Sequence, residues 1–132
     1  MEDTHTYRVT AWWAESQNGI AKSDSAPNAI HFAAPPQFGG TKGRWSPEEL
    51  LLSSLASCFT TTFNTLAEYS RLPYLDLEVE GMVSKGTDGY RFAKVLISPS
   101  LTIIKGTEQE RALQLLNKIK TLCLISRALN IP

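Results

Sequence analysis

Residues 6–13 (TYRVTAWW) form a run of β-branched and aromatic types, and Asn18-Gly19 is a turn pair ahead of a second apolar-polar stretch at 20–23. This pattern predicts an antiparallel hairpin. A third extended piece follows at 29–33. The next stretch, AAPPQFGGTKGR, holds two prolines and three glycines in twelve residues, a composition that suits neither helix nor sheet and predicts a long, shaped connection. It ends at Trp45. Ser46 is a good N-cap, Pro47 suits a first helical position, and Glu49 lies three residues after Ser46, the spacing of a capping box. From Pro47 to about Leu72 neither Gly nor Pro intervenes. Leu51, Leu55, Phe59, Thr62, Phe63, Leu66 and Tyr69 recur at three- and four-residue spacing, the stripe of a helix that faces a core.

The second half repeats the order. Residues 75–85 alternate, with Leu75, Leu77 and Val79 against Asp76, Glu78 and Glu80, and Thr87-Asp88-Gly89 turns the chain into an extended stretch at 90–104. A second hairpin is expected, with an edge or a bulge at Pro99, because proline cannot donate to a ladder. Thr107 and Glu110 repeat the capping-box spacing, and Ala112, Leu115, Leu116, Ile119 and Leu122 form a second helical stripe. The segment CLISRALNIP either continues that helix or forms a short one after it. Strands, helix, strands, helix describe an α+β fold with helices packed on a largely antiparallel sheet.

Composition narrows the function classes. The chain has 132 residues, the size of one compact domain, and a single domain over 1–132 is expected. Thirteen Lys and Arg balance thirteen Asp and Glu, so neither nucleic acid nor an acidic membrane is an expected partner. The opening residues, MEDTHTYR, lack the basic and then apolar character of a signal peptide, and no apolar run reaches the length of a membrane span, which makes the cytoplasm the expected compartment. His5 and His31 belong to no spaced ligand set, so no metal is expected, and no phosphate-binding glycine motif or GxSxG elbow is present. No cofactor is implied. Two cysteines are too few for a disulfide scaffold and become the candidate chemistry.

Cys58 falls in the middle of the first helix. A lone helical cysteine is usually a small buried hydrophobe, and a reactive one needs something to stabilise its thiolate. About three turns separate it from the helix start, beyond the reach of that helix's dipole, so an Arg or Lys held by a carboxylate is the expected activator.

The segment SPEELLLSSLASCF, Ser46 to Phe59, resembles the signature helix of the OsmC/Ohr family of osmotically inducible and organic hydroperoxide resistance proteins. CLISRAL, Cys123 to Leu129, is similar to the family's C-terminal cysteine segment. The resemblance covers about 39–129. It implies an intertwined homodimer, each subunit with a long central helix and a second helix on a curved, mainly antiparallel sheet. It further implies a thiol peroxidase for organic hydroperoxides in oxidative-stress defence: Cys58 as peroxidatic cysteine, Cys123 as resolving cysteine, Glu48 as the carboxylate that orients a catalytic arginine, and a lipoyl-type dithiol as reductant. Glu48 and Cys58 are ten helical residues apart, about 15 Å along the axis and roughly 80° around it, so they cannot touch within one straight helix. A site that uses both needs two subunits, with the active sites at the interface.

Two features depart from the family pattern. Gln17 and Phe38 stand where its two branches carry the arginine, which leaves Arg44 as the replacement candidate with Lys42 behind it; a solvated loop charge is the competing reading of Arg44. Leu124 stands where the family usually has proline, so the helix is free to run on through Cys123. Trp12, Trp13, Trp45, Phe59 and Phe63 are candidates for an apolar substrate pocket, or equally for core. Arg127 is read as a cap on the last helical carbonyls. Two other readings stay open: an OsmC-like binding module for an apolar small molecule, without efficient turnover, and a thiol redox sensor.

Overall fold

The computed structural model describes residues 4–14, 18–70, 74–102 and 109–132. They form two compact units, 1–50 and 51–132, with the boundary inside the first turn of the long helix. Both follow the α+β order that the hydrophobic pattern predicts.

In the first unit, β1 (Val9–Trp13), β2 (Gly19–Ser23) and β3 (Ile30–Phe32) make an antiparallel sheet in that order, with Trp13 opposite Gly19 and Gly19 opposite Phe32. The β1–β2 connection is closed by the Ala14 N–H donating to the Asn18 carbonyl at 2.7 Å. Gly19 is not a turn glycine, as its pairing with Asn18 suggests, but the first residue of β2. It is buried, and a Cβ there would collide with the Phe32 ring, so glycine is required by close packing. Gln17 lies outside the described residues.

The connection after β3 contains a 3-10 turn at Pro36–Phe38, and Gly39 and Gly43 adopt φ of 84° and 85°, in the left-handed region that glycine tolerates. Its two ends are tied: the Ala33 N–H donates to the Trp45 carbonyl at 2.9 Å, and the Trp45 N–H to the His31 carbonyl at 3.2 Å. Ser46 is thereby fixed as the start of α1 (Pro47–Ser70). The capping box forms as the spacing predicts. The Glu49 N–H donates to Ser46 Oγ at 3.1 Å, while Glu49 Oε1 accepts from the Ser46 N–H at 3.0 Å and from its hydroxyl at 2.9 Å.

In the second unit, β4 (Tyr74–Gly86) and β5 (Gly89–Thr102) form a long antiparallel ribbon around a two-residue turn at Thr87-Asp88, with Gly89 at φ 103°. The strand passes through Pro99, opposite Leu77, without a break. The bulge lies instead at Ala93, between the Met82–Lys94 and Val83–Phe92 pairs. The ribbon's half-buried Leu77, Val79, Val95 and Ile97 pack on a core of Leu55, Phe59 and Phe63 from α1 with Ala112, Leu115 and Ile119 from α2 (Gln109–Leu122). Leu122, assigned to the α2 stripe by spacing, is 46% exposed, and Cys123, fully buried and four residues after Ile119, completes the row. Thr107, of the second capping-box pair, lies outside the described residues. No helix among the described residues is long and apolar enough to cross a membrane.

Candidate active site

The helix does not run on through Cys123. The Cys123 N–H still donates to the Ile119 carbonyl at 2.8 Å, but its ψ of 113° leaves the helical region, and a short helix, α3 (Leu124–Ala128), starts in a new direction. The break forms without a proline. Cys123 belongs to α2's buried row and is also the N-cap of α3, so burial of its side chain fixes where the second helix begins. Its carbonyl accepts from the Arg127 N–H at 3.0 Å, while no side-chain capping bond is made. Arg127 itself is exposed, and its side chain forms no hydrogen bond among the described residues, so it caps no carbonyl.

This break brings two cysteines together across 65 residues of chain. Both are free thiols, Cys58 half-buried and Cys123 buried, in one cluster with Phe59, Phe63, Ile119 and Ile125. Burial is the largest single influence on the Cys58 thiol and acts to raise its pKa. It is outweighed by hydrogen bonding at the sulfur from the Ile125 backbone N–H, the Cys123 thiol, the Leu124 backbone N–H and the Thr62 hydroxyl, which together leave Cys58 more acidic than an ordinary cysteine. Cys123 is moved the opposite way. Burial, its bond to Cys58 and the charge of the Cys58 thiolate raise its pKa, only partly offset by the N–H groups of Ser126 and Ile125.

Thr62 owes its part to helical spacing, one turn beyond Cys58. Thr60 and Thr65 donate their hydroxyls to carbonyls four residues back at 2.8 and 3.0 Å, and Thr61 donates to the Cys58 carbonyl at 3.1 Å. The Thr62 hydroxyl is instead among the groups that lower the pKa of the Cys58 thiol. Within the second unit, uncharged donors shift the Cys58 thiol in the same direction as the Arg or Lys that the sequence leads one to expect. Neither the two amides nor Thr62 is visible in a search for charged partners. The sole sequence signal is Thr62, four residues after a helical cysteine.

The remaining candidates fall elsewhere. Arg44 is exposed and forms no ion pair or hydrogen bond among the described residues. Lys42 is exposed as well. Glu48, beside the capping Glu49, has one carboxylate oxygen fully buried without a hydrogen-bond partner among the described residues. Phe59 and Phe63 are buried in the core, at 3% and 0% exposure, whereas Trp12, Trp13 and Trp45 lie in the first unit and are exposed. The second unit offers a different apolar recess of about 230 Å³, between Leu55, one turn before Cys58, Val95, Ile97 and Leu129, with Lys120 and Ser126 as its polar members.

A family model described as OsmC-like protein matches residues 39–132. The uncharacterised protein YmaD of Bacillus subtilis strain 168 is 28% identical over 134 residues, covering 98% of this chain and 89% of that protein. Among solved structures, an OsmC-like protein of unknown function from Vibrio cholerae matches with a TM-score of 0.83 at 15% identity, over 97% of this chain and 96% of that one. An organic hydroperoxide resistance protein, OsmC, from Legionella pneumophila matches with a TM-score of 0.79 at 21% identity, over 98% and 92% respectively.

Proposed function

The chain belongs to the OsmC-like protein family, and from that premise we propose that it is a cysteine-dependent peroxidase that reduces organic hydroperoxides. The observation that carries the reading is the pair of free cysteines gathered at one buried cluster, with the Cys58 thiol shifted toward greater acidity and the buried Cys123 thiol toward lesser. The hydroperoxide resistance named for the Legionella relative agrees with it.

The chemistry balances with the groups at hand. The Cys58 thiolate attacks the outer peroxide oxygen, the O–O bond breaks, and the alkoxide leaves to take up a proton as the alcohol; Cys58 becomes a sulfenic acid. The Cys123 sulfur then attacks the Cys58 sulfur, the S–O bond breaks, water departs with the Cys123 proton, and a disulfide remains. An external dithiol, of lipoyl type by family resemblance, must reduce it. The opposed acidities suit this order, because the attacking thiol is ionised first and the resolving thiol is held back. The recess beside Leu55 is suited to the organic tail of the peroxide.

The working form in this reading is a cytoplasmic homodimer. Trp12 at 44%, Trp13 at 64%, Trp45 at 51% and Tyr7 at 87% exposure are aromatic surface that a partner subunit would cover. Glu48, with its unpaired buried oxygen, would find its cation at that interface, Arg44 being the candidate.

One equivalent of cumene hydroperoxide added to the reduced protein tests the reading by intact mass and free-thiol count. A loss of two mass units and both thiols is expected, with neither in Cys58→Ser. Survival of both thiols in a large peroxide excess, in a folded protein, overturns it.

A further inference from the structure

Beyond α3 the chain returns to the ribbon. Leu129 is held by packing on the buried cluster and by its N–H, which donates to the Ile125 carbonyl at 3.2 Å. From there 130–132 reach β5, where the Pro132 carbonyl accepts from the Val95 N–H at 2.9 Å, the sole hydrogen bond of these three residues among the described ones. The crossing has a recess on each side of it along β5. Val95 and Ile97 belong to the apolar recess of about 230 Å³ that includes Leu55, one turn before Cys58. Arg91, Phe92 and the bulge residue Ala93 belong, with Asn130, to a second recess of about 610 Å³. Ile131 and Pro132 line both. The first recess alone is smaller than the roughly 300–1,000 Å³ of ordinary ligand sites, and the two joined fall inside that range. We propose that Ile131 and Pro132 are specificity-determining residues: they wall off the recess beside Leu55 and limit the organic group it accepts to a short or compact one, and their displacement joins the two recesses and admits a long alkyl chain. The inference rests on the reading that this recess takes the organic part of the peroxide. The wall is lightly held, because Ile131 is only half-buried, Asn130 and Pro132 are exposed, and one backbone bond ties the segment down.

Truncation of Ile131 removes side-chain wall and leaves the Pro132 carbonyl on Val95. The test uses N-alkylmaleimides bearing methyl, butyl and octyl groups, with addition to Cys58 followed at its peptide by mass spectrometry. Division by the rate with glutathione cancels the intrinsic reactivity of each reagent. In the parent the octyl reagent should gain nothing over butyl. In Ile131→Ala it should gain about tenfold over butyl, since each further buried methylene is worth roughly fourfold, while the methyl and butyl rates stay within about twofold of the parent. In the unaltered protein the Ile131 methyl resonances should move when Cys58 carries the octyl group and stay in place when it carries the methyl group, a readout that needs no variant. An octyl reagent already favoured in the parent, a folded Ile131→Ala with the parent's profile, an equal acceleration with all three reagents, or Ile131 resonances indifferent to chain length would each overturn the proposal. Because maleimide addition needs no peroxide, failure here is distinct from failure of the peroxidase reading, which is decided by thiol loss with cumene hydroperoxide.

Discussion

Two adjacent carboxylates at the start of α1 provide a sharp separation of stability from function. Glu49 accepts two hydrogen bonds from Ser46, at 3.0 and 2.9 Å, and sits in the first turn of a 24-residue helix. Truncation to alanine removes the cap, about 1 kcal/mol, and the favourable placement of a negative charge near the helix start, about 0.3–1 kcal/mol. Together these give about 1–2 kcal/mol, a fall of several degrees in melting temperature for a chain of this size. Glu48 shares the dipole's benefit but has a carboxylate oxygen buried without a partner among the described residues. An unmade bond of that kind costs about 1–3 kcal/mol. Glu48→Gln removes both the benefit and most of the cost of the buried charge, so its net effect on stability is within about 1 kcal/mol of zero. Its effect on the rate of thiol loss with cumene hydroperoxide is expected to be large, more than about tenfold, if the carboxylate positions a cation at an intersubunit site. Thermal melts at fixed protein concentration, paired with single-turnover thiol loss, read both quantities. Comparable melting shifts for Glu48→Gln and Glu49→Ala with unchanged peroxide reactivity would refute the division of labour.

Further predictions concern the core, the close contact and the thiol pair. Phe63→Ala, at a fully buried position, should destabilise the protein by about 3–5 kcal/mol in urea titrations. Gly19→Ala should lower the melting temperature through its collision with Phe32, and Phe32→Leu in the same chain should recover part of the loss; no recovery would show that the ring is not the obstacle. Cys58 should be alkylated at lower pH than Cys123, and in Cys58→Ser the Cys123 midpoint should fall, because the bond and charge that raise it are gone. In stability terms the lowered Cys58 thiol deprotonates in the native state before the unfolded one. Its contribution is full above the unfolded pKa and is lost as pH falls through the native value. Cys123 works in the opposite sense.

Local chemistry was the legible part of the sequence. Ser46, Pro47 and Glu49 specify the start of α1 through contacts three residues apart, and the turn at Thr87-Asp88 specifies the long ribbon in the same way. Features decided by distant partners were not legible. Gly19 reads as a turn residue because its neighbour is Asn18, whereas its role is set by Phe32 across the sheet. Proline drew attention to position 99, yet the ribbon's irregularity falls at Ala93, which has no sequence mark. The pairing of Cys58 with Cys123 was available only through family resemblance, and the two amides at Cys58 were not available at all, because backbone N–H groups are common to nearly every residue and only tertiary structure aims them. The aromatic set Trp12, Trp13, Trp45, Phe59 and Phe63 was divided by burial, a property that helical spacing predicts for the last two alone.

The N-cap of α3 is occupied by a residue that caps poorly, and this bears on how the protein is handled at the bench. Serine is the customary silent stand-in for cysteine and also one of the strongest helix caps. A Cys123→Ser protein would turn its hydroxyl back onto the amides of α3 and contend with the Cys58 sulfur for them. The substitution meant only to delete the resolving thiol would then blunt the attacking one, and a slow first step in that variant would be mistaken for a role of Cys123 in peroxide cleavage. Alanine, which cannot cap, is the cleaner replacement at this position.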